Sequence, residues 1–256
     1  MTDQVRNVWA DGGTALGAWL SSREPLLAEA AALCGYDYVC VDMQHGLQSF
    51  DLAVTMLSAM ARTPITPIVR VPWNEPGIIG RVMDAGAYGV IIPMVNTVDE
   101  ARQAVSSCFY HPKGARSMGP AGVSPRAGRE GYFDTANNKM LCIPMIETKQ
   151  AVENLDEILS VPGIDAVYVG PADLSITYGL APKADQADIE WNAALERIVK
   201  RCGAHGVVPG IHADATLAPK RSALGFRLIT VGFDLTPAMV ALRSDLKTAR
   251  DGVTGA

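Results

Sequence analysis

The 256-residue sequence lacks features that mark several classes of protein. No apolar run reaches the roughly 18 residues of a membrane span, and residues 1–13, MTDQVRNVWADGG, contain no apolar core of signal-peptide length. The net charge of -5 offers no basic face for a polyanion. The five cysteines form no CxxC or Cys/His pairing. We therefore expect a cytoplasmic protein without structural zinc and without a nucleic-acid or membrane partner.

What the sequence contains is an alternation of short strand-like runs with longer stretches of helical period. This pattern predicts a single (β/α)8 barrel over residues 1–256. The rival, an open doubly wound sheet, requires a GxGxxG turn after its first strand, and the sequence has SSREP there. The predicted strands are 14–20, 38–43, 66–71, 88–95, 141–147, 166–171, 207–213 and 227–234. The predicted helices lie near 23–34, 50–62, 75–86, 97–107, 149–160, 188–204, 214–223 and 236–250.

The interval 110–139 breaks this alternation. Its sequence, YHPKGARSMGPAGVSPRAGREGYFDTANNK, is rich in Gly, Pro and Arg and has no clear period. Loops of this length in compact domains are usually functional or disordered. Because the interval contains Arg116, Arg126 and Arg129, we predict a substrate-facing active-site loop, with a disordered excursion as the alternative.

Two carboxylates stand at the ends of neighbouring predicted strands. Glu147 closes the run CIPMIE, and Asp173 follows AVYVGPAD one strand-plus-helix unit later. In a parallel barrel both would lie on the C-terminal rim, where catalytic residues gather. Hard oxygen ligands with open positions suit Mg²⁺ or Mn²⁺ better than zinc. Taken singly, each residue could be a helix cap or a solvated carboxylate; taken together, they predict a metal site.

Polar residues also end the second and third predicted strands. Asp42 is followed by Gln44-His45-Gly46, and Arg70 ends TPIVRV. The forked guanidinium of Arg70 suits a carboxylate or a developing enolate oxygen, although a salt bridge to a rim carboxylate fits equally well. The imidazole of His45 could act as a general base, although a lone loop histidine often has no such role.

Several segments together resemble one known family. These are VDMQHG, PIVRVPWNEPGIIGRVMDAGAYGVIIPMV, IPMIET, VGPADLS and VGFDL, which together cover nearly the whole chain. They are similar to the class II pyruvate aldolases typified by 4-hydroxy-2-oxoheptanedioate aldolase and 2-dehydro-3-deoxyglucarate aldolase. The resemblance implies a divalent cation, Mg²⁺, Mn²⁺ or Co²⁺, held by Glu147 and Asp173. It further implies that the cation chelates pyruvate and that Arg70 stabilises the enolate.

The resemblance also assigns roles in proton transfer and in substrate binding. His45 would move a proton through a bound water while paired with Asp84, and Asp42 would be a further acidic residue nearby. The role of Asp84 rests entirely on the resemblance. The pyruvate carboxylate would meet backbone amides at a turn formed by Gly170, Pro171, Ala172 and Asp173.

The implied reaction is reversible cleavage of a 4-hydroxy-2-oxo acid to pyruvate, or a related 2-oxo acid, and an aldehyde. Oxaloacetate decarboxylation is expected as a side activity, since it uses the same enolate chemistry. No lysine ends a predicted strand, so a Schiff-base route has no obvious nucleophile. Two alternatives stay open: an acyl-CoA-ester lyase of the citramalyl or malyl type, and a non-catalytic barrel that binds ligands.

Two substitutions and one helix bear on specificity and assembly. Met145 stands where the family commonly has Gln, and Gln44 where it often has Glu, which makes a changed donor or acceptor preference plausible. Family members often form hexamers by exchanging a C-terminal helix, so a homo-oligomer, hexamer or trimer, is implied. The predicted helix 236–250 could serve this purpose or could be the ordinary eighth helix of the barrel.

Overall fold

The computed structural model describes residues 4–254, and eight parallel strands form its centre. The hydrogen-bonded strand order is β5-β4-β3-β2-β1-β8-β7-β6, and a bridge between Met145 and Tyr168 joins the two ends of this series. The predicted (β/α)8 barrel is thereby confirmed. The strands are β1 (Ala15–Leu20), β2 (Tyr38–Asp42), β3 (Thr66–Arg70), β4 (Gly89–Ile92), β5 (Leu141–Pro144), β6 (Ala166–Val169), β7 (Val208–His212) and β8 (Leu228–Phe233).

Helices follow the strands, and each of the eight predicted helical stretches is found. The stretch predicted as one helix over 149–160 is divided at Asn154 into two short helices. The ends of the predicted 1–256 domain, residues 1–3 and 255–256, lie outside the described part. The helices are α1 (Gln4–Ala10), α2 (Pro25–Leu33), α3 (Phe50–Met60), α4 (Pro76–Ala85), α5 (Val98–Cys108), α6 (Ser124–Ala127), α7 (Arg129–Lys139), α8 (Lys149–Glu153), α9 (Leu155–Leu159), α10 (Pro171–Thr177), α11 (Ile189–His205), α12 (Ala218–Leu224) and α13 (Leu235–Thr254).

Local capping signals set several helix ends. α5 begins with a capping box, in which the Thr97 side chain accepts from the Glu100 amide and the Glu100 carboxylate accepts from the Thr97 amide. α11 begins at Asp188, whose carboxylate accepts from the Trp191 amide at 2.9 Å, and ends at Gly206 in the left-handed conformation. These side chains satisfy amides that the helix itself leaves unpaired.

The buried side chains form two clusters, one between strands and helices and one inside the barrel. α1, which the sequence patterns did not predict, closes the N-terminal end of the barrel. Its Val5 is fully buried in the interior cluster, and the Val5 amide donates to Thr66 Oγ1 at 3.2 Å. Arg6 pairs with Asp165 at 2.7 Å. The opposite, C-terminal end is left for a binding site.

The structure of the interval 110–139 differs from two expectations. It is not an irregular loop, because it contains α6 and α7. The sequence did not predict α7, because only Tyr132 and Ala136 are buried along it, too few to show a helical period. It also connects the end of α5 to the start of β5, which places it at the N-terminal end of the barrel. There Arg116 donates to Asp84 at 2.5 Å and to the Tyr132 hydroxyl at 3.1 Å. Within one chain, the interval therefore does not cover the C-terminal rim.

α13 leaves the barrel surface instead of covering it as an eighth helix would. Its large apolar side chains are exposed, and on β1 Leu16 is 40% exposed on the outer face. Among residues 4–254, no helix combines the length and apolar character needed to cross a membrane. The exposed apolar residues of α13 are Leu235, Met239, Val240, Leu242, Leu246 and Val253.

Candidate active site

A cavity of about 370 Å³ opens at the C-terminal ends of the strands. Its size is that of a small-molecule site. Most of the residues that the sequence singled out meet here, although they come from three separate strand ends, those of β2, β3 and β6. The predicted site residues that line the cavity are Asp42, His45, Arg70, Gly170, Pro171, Ala172 and Asp173.

Arg70 is held in place by a carboxylate on the neighbouring strand. Its Nε donates to Asp42 Oδ1 at 2.8 Å, and its Nη2 donates to Asp42 Oδ2 at 2.5 Å. Trp19 Nε1 donates to the same carboxylate at 3.2 Å, and the Arg70 guanidinium lies 4.8 Å from the Trp19 ring centroid. Burial alone would raise the pKa of Asp42, but the bonds from Arg70 outweigh it and lower the pKa. Both roles considered for Arg70 are therefore compatible, since it forms a salt bridge and lines the cavity.

Glu147 is buried directly behind the cavity wall, with 2% of its surface exposed. Its Oε1 accepts a hydrogen bond from the Met94 amide at 2.8 Å. Met94 has φ of 56°, a left-handed backbone that non-glycine residues seldom adopt. Burial, together with the charge of Asp173, raises the pKa of Glu147 to about 7, despite the Met94 amide and the charge of Arg70. A buried carboxylate beside a second carboxylate is costly unless a cation compensates it.

The turn after β6 is shaped around Glu147. A Cβ at Gly170 would lie 2.4 Å from Glu147 Oε2 and 3.1 Å from Met145 Cε, so any larger residue here would displace the Glu147 carboxylate. The next residue, Pro171, begins α10 and contributes no N–H, which leaves the amides of Gly170, Ala172 and Asp173 at this turn. The turn thus brings the Asp173 carboxylate to the Glu147 side of the cavity.

These two carboxylates fit a hard divalent cation. They are close enough for the charge of Asp173 to affect Glu147, and both are oxygen ligands. The described residues contain no cluster of three or more His, Cys, Asp or Glu side chains arranged for a metal. The predicted pair is a partial ligand set of the kind that keeps positions open for water and substrate.

His45 lies at the rim, in the tight turn after β2. The backbone amides of Gln44 and His45 donate to Asp42 Oδ1 at 3.0 and 3.3 Å. A Cβ at Gly46 would lie 2.1 Å from the Asp42 carbonyl oxygen, so glycine is needed for this turn. The His45 side chain is exposed and lines the cavity. The same carboxylate that holds Arg70 therefore also holds the histidine loop.

Asp84 is the one predicted catalytic residue that lies elsewhere. It stands near the C-terminal end of α4, and a helix that follows a barrel strand runs back toward the N-terminal end. There it pairs with Arg116. Within one chain, Asp84 and His45 are therefore at opposite ends of the barrel.

Known proteins match this chain over nearly its whole length. Residues 15–241 match the family model described as HpcH/HpaI aldolase/citrate lyase. The chain belongs to this family. It is 40% identical over 249 residues to a hydroxypyruvate/pyruvate aldolase of Rhizorhabdus wittichii, which covers 97% of this chain and 99% of the relative. It is 36% identical to a 4-hydroxy-2-oxo-heptane-1,7-dioate aldolase of Salmonella newport, over 99% of this chain and 96% of the relative.

A solved structure supports the same assignment. A HpcH/HpaI aldolase/citrate lyase family protein from Burkholderia cenocepacia superimposes with a TM-score of 0.87 at 32% identity, covering 97% of this chain and all of that one. The family resemblance inferred from the sequence is confirmed.

In this HpcH/HpaI family member the cavity also contains residues that the sequence patterns missed. Trp19, Tyr168 and Phe233 lie within the predicted strand runs, where no sequence pattern marks them as site residues. Lys183 comes from the segment between α10 and α11, which carries no periodic signal. His212 could have been found, because it is a polar residue near the end of the run VVPGIHA. Met145, the departure from the family, does line the cavity.

Proposed function

We propose that this protein is a divalent-metal-dependent aldolase that reversibly cleaves 4-hydroxy-2-oxo acids to pyruvate, or a related 2-oxo acid, and an aldehyde. The observation that carries the proposal is the pair Glu147 and Asp173 beside the clamped Arg70 at one cavity. Relatives named for aldolase reactions at 36 and 40% identity support it.

A divalent cation at Glu147 and Asp173, whether Mg²⁺, Mn²⁺ or Co²⁺, would supply Lewis-acid polarisation of the bound 2-oxo acid. Arg70 adds fixed donors for the oxygen on which the enolate charge develops. Because Asp42 and Trp19 already hold the guanidinium, little reorganisation is needed as that charge appears. In this proposal the amides at the Gly170 turn bind the carboxylate of the 2-oxo acid.

His45 is the proposed proton-transfer residue. Its exposed side chain at the rim can reach both the cavity and solvent. The pairing with Asp84 that the resemblance implies needs an Asp84 from a second copy of the chain, since the two residues of one chain lie at opposite ends. Asp42 acts in this proposal as the positioning residue for Arg70 and for the His45 turn.

Assembly into a homo-oligomer, a hexamer or trimer, is part of the proposal. α13 carries exposed apolar residues, and the outer surface of β1 and β8 next to α12 holds a partly apolar groove that includes Leu16 and Val231. Exchange of α13 between copies would cover both surfaces. A cytoplasmic location stays a prediction, and oxaloacetate decarboxylation is proposed as a side activity.

The test is pyruvate release from 4-hydroxy-2-oxo acids of increasing chain length by chelator-stripped protein, with and without Mg²⁺, Mn²⁺ or Co²⁺. Metal-dependent release is expected, and the chain-length profile reports the acceptor pocket. Citramalyl-CoA and malyl-CoA form the parallel arm. Cleavage of the thioesters without cleavage of the free oxo acids would replace this proposal with the acyl-CoA lyase alternative. Cleavage of neither substrate class would favour a non-catalytic binding protein.

A further inference from the structure

A chain of buried hydroxyl groups runs through the barrel to the wall of the cavity. The Tyr38 hydroxyl lies 2.9 Å from Thr230 Oγ1, and Thr230 Oγ1 lies 2.5 Å from the Tyr168 hydroxyl. The Tyr168 hydroxyl lies 3.4 Å from Nδ1 of His212, at the end of β7. Tyr38, Thr230 and Tyr168 are fully buried, so each of their hydroxyl protons needs an acceptor inside the protein.

The need of every buried hydroxyl proton for an acceptor determines the direction of this series of hydrogen bonds. If Tyr38 donates to Thr230, Thr230 to Tyr168 and Tyr168 to His212, all three hydroxyl protons are accepted. In the opposite direction Thr230 donates to Tyr38, and the Tyr38 proton is then left without an acceptor within these three contacts. Burial raises the pKa of both phenols, which keeps them protonated donors.

This direction determines which nitrogen of His212 carries the proton. Nδ1 accepts from Tyr168, so in the neutral imidazole the proton is on Nε2. The ring is neutral near pH 7, because burial and the charge of Arg70 lower the pKa of His212 to about 4. Nε2 forms no hydrogen bond within the described chain and is not among its buried unpaired atoms. Since His212 lines the cavity, its N–H is available there.

The donor stands on the part of the wall that the proposed metal site does not use. Glu147, Asp173 and Arg70 occupy the ends of β3, β5 and β6. His212 is on β7, with the ring of Trp19 at 4.9 Å and that of Phe233 at 5.1 Å between centroids. A neutral N–H between aromatic rings suits a neutral hydroxyl oxygen better than an anion, which would lose its hydration here.

We propose that His212 determines acceptor specificity by donating a hydrogen bond from Nε2 to a hydroxyl group on the aldehyde half of the substrate. The enzyme then prefers 2-hydroxyaldehydes to alkyl aldehydes of the same size. This inference rests on the proposed aldolase function, and Tyr168, Thr230 and Tyr38 are positioning residues for the imidazole.

The first test compares glycolaldehyde with propanal as acceptors of pyruvate, because they differ by a hydroxyl in place of a methyl group. The unchanged enzyme should have the higher kcat/KM with glycolaldehyde. His212→Phe should reduce that preference by about five- to tenfold, the value of one neutral hydrogen bond. His212→Gln, whose amide can donate from a similar position, should retain most of it. His205→Gln, on the outer helix α11, is the control and should leave both rates unchanged.

The second test reads the tautomer without using activity. In ¹H–¹⁵N two-bond spectra of ¹⁵N-histidine-labelled protein at pH 7, the signal absent from His212→Gln should show a protonated Nε2 and an unprotonated Nδ1. Tyr168→Phe removes the donor to Nδ1 and should shift this signal toward a mixture of tautomers.

Two results would overturn the inference: an Nδ1–H or doubly protonated ring, or an acceptor preference that His212→Phe leaves unchanged. If the unchanged enzyme joins pyruvate to neither aldehyde with any metal, the proposed function fails and the substrate assignment fails with it. The direction of the hydroxyl chain would still be decided by the spectrum.

Discussion

At the scale of single residues, Glu147 is a buried carboxylate whose negative charge the protein compensates only in part. Burial and the charge of Asp173 both disfavour its ionised form, and the Met94 amide offsets this only in part. Such a residue lowers the stability of the protein and is retained where its charge is used. Asp42 shows the opposite balance, because Arg70 satisfies both of its oxygens.

Glu147→Gln should separate stability from function. In metal-free protein at pH 8 we expect the variant to be more stable by about 2 kcal/mol, because a buried unpaired charge is removed. Pyruvate release should fall by at least about 100-fold with the loss of a cation ligand. Urea denaturation with chelator present and the pyruvate assay measure the two effects. Glu153→Gln, an exposed residue of α8, should change neither; a destabilised Glu147→Gln that still responds to Mn²⁺ would contradict the assignment.

The pH dependence of stability follows from the same carboxylate. Its pKa of about 7 in the folded protein lies above its ordinary value of 4.5, so the folded state binds the proton more tightly. The stability that the protonated Glu147 contributes is fully present below pH 4.5 and is lost as the pH rises through about 7. The loss is of order 3 kcal/mol. Urea midpoints of chelator-treated protein between pH 5 and 8 should therefore fall more steeply than those of Glu147→Gln.

The stabilisation produced by added Mn²⁺ should have the opposite pH dependence. A cation binds the ionised carboxylate, so the rise in Tm produced by Mn²⁺ should grow from pH 5 to pH 8. For the pH dependence of stability, the contradicting result is a urea midpoint that falls with pH by the same amount in the unchanged protein and in Glu147→Gln. Glu147 would then not be the titrating group.

At the scale of elements, the turn between β6 and α10 connects backbone geometry to metal affinity. In Gly170→Ala the new Cβ would meet Glu147 Oε2 at 2.4 Å, so the carboxylate has to move. We expect at least about tenfold weaker Mn²⁺ binding by calorimetry, with the circular dichroism spectrum unchanged. Gly203→Ala in α11 has no atom within 4 Å of its Cβ and should be neutral or stabilising. Equal Mn²⁺ affinity in both variants would argue against a site at this turn.

The elements also show how far sequence reasoning reaches. All eight strands were predicted, because barrel strands buried on both faces are continuous apolar runs. α1, α6, α7 and α10 were not, because α6 and α10 are short and α1 and α7 bury few side chains. The strand-end carboxylates and Arg70 were found because they interrupt apolar runs. Trp19 and Tyr168 were missed, because an aromatic residue in a strand looks the same whether it faces the core or a cavity.

At the scale of the whole molecule, α13 carries an apolar stripe that the barrel does not cover. Its steps of four, three, four and seven residues keep it on one helix face, which is the pattern of a helix that packs against another surface. Large exposed apolar surfaces of this kind mark association sites. The stripe is formed by Leu235, Met239, Leu242, Leu246 and Val253.

Leu242→Glu should weaken the proposed oligomer, because a charge replaces a buried leucine worth about 1.5–3 kcal/mol at the interface. Light scattering coupled to size exclusion should show a lower mass than for the unchanged protein at micromolar concentration. If Asp84 comes from a second copy, pyruvate release should fall in parallel. Ser244→Glu, on the other face of α13, is the matched control. The same mass for both variants would exclude this stripe as the contact.

The sequence by itself determined the number of strands and the polar residues at their ends, because both are properties of short segments. The family followed from segments spread along the whole chain. Only the tertiary structure decided which of these residues meet. The pairing of β1 with β2 and of β2 with β3 places Trp19 and Asp42 around Arg70. The direction of α4 places Asp84 at the opposite end of the barrel. The His212 tautomer depends on hydroxyls from three other strands, and such contacts arise from strand order, which no local pattern encodes.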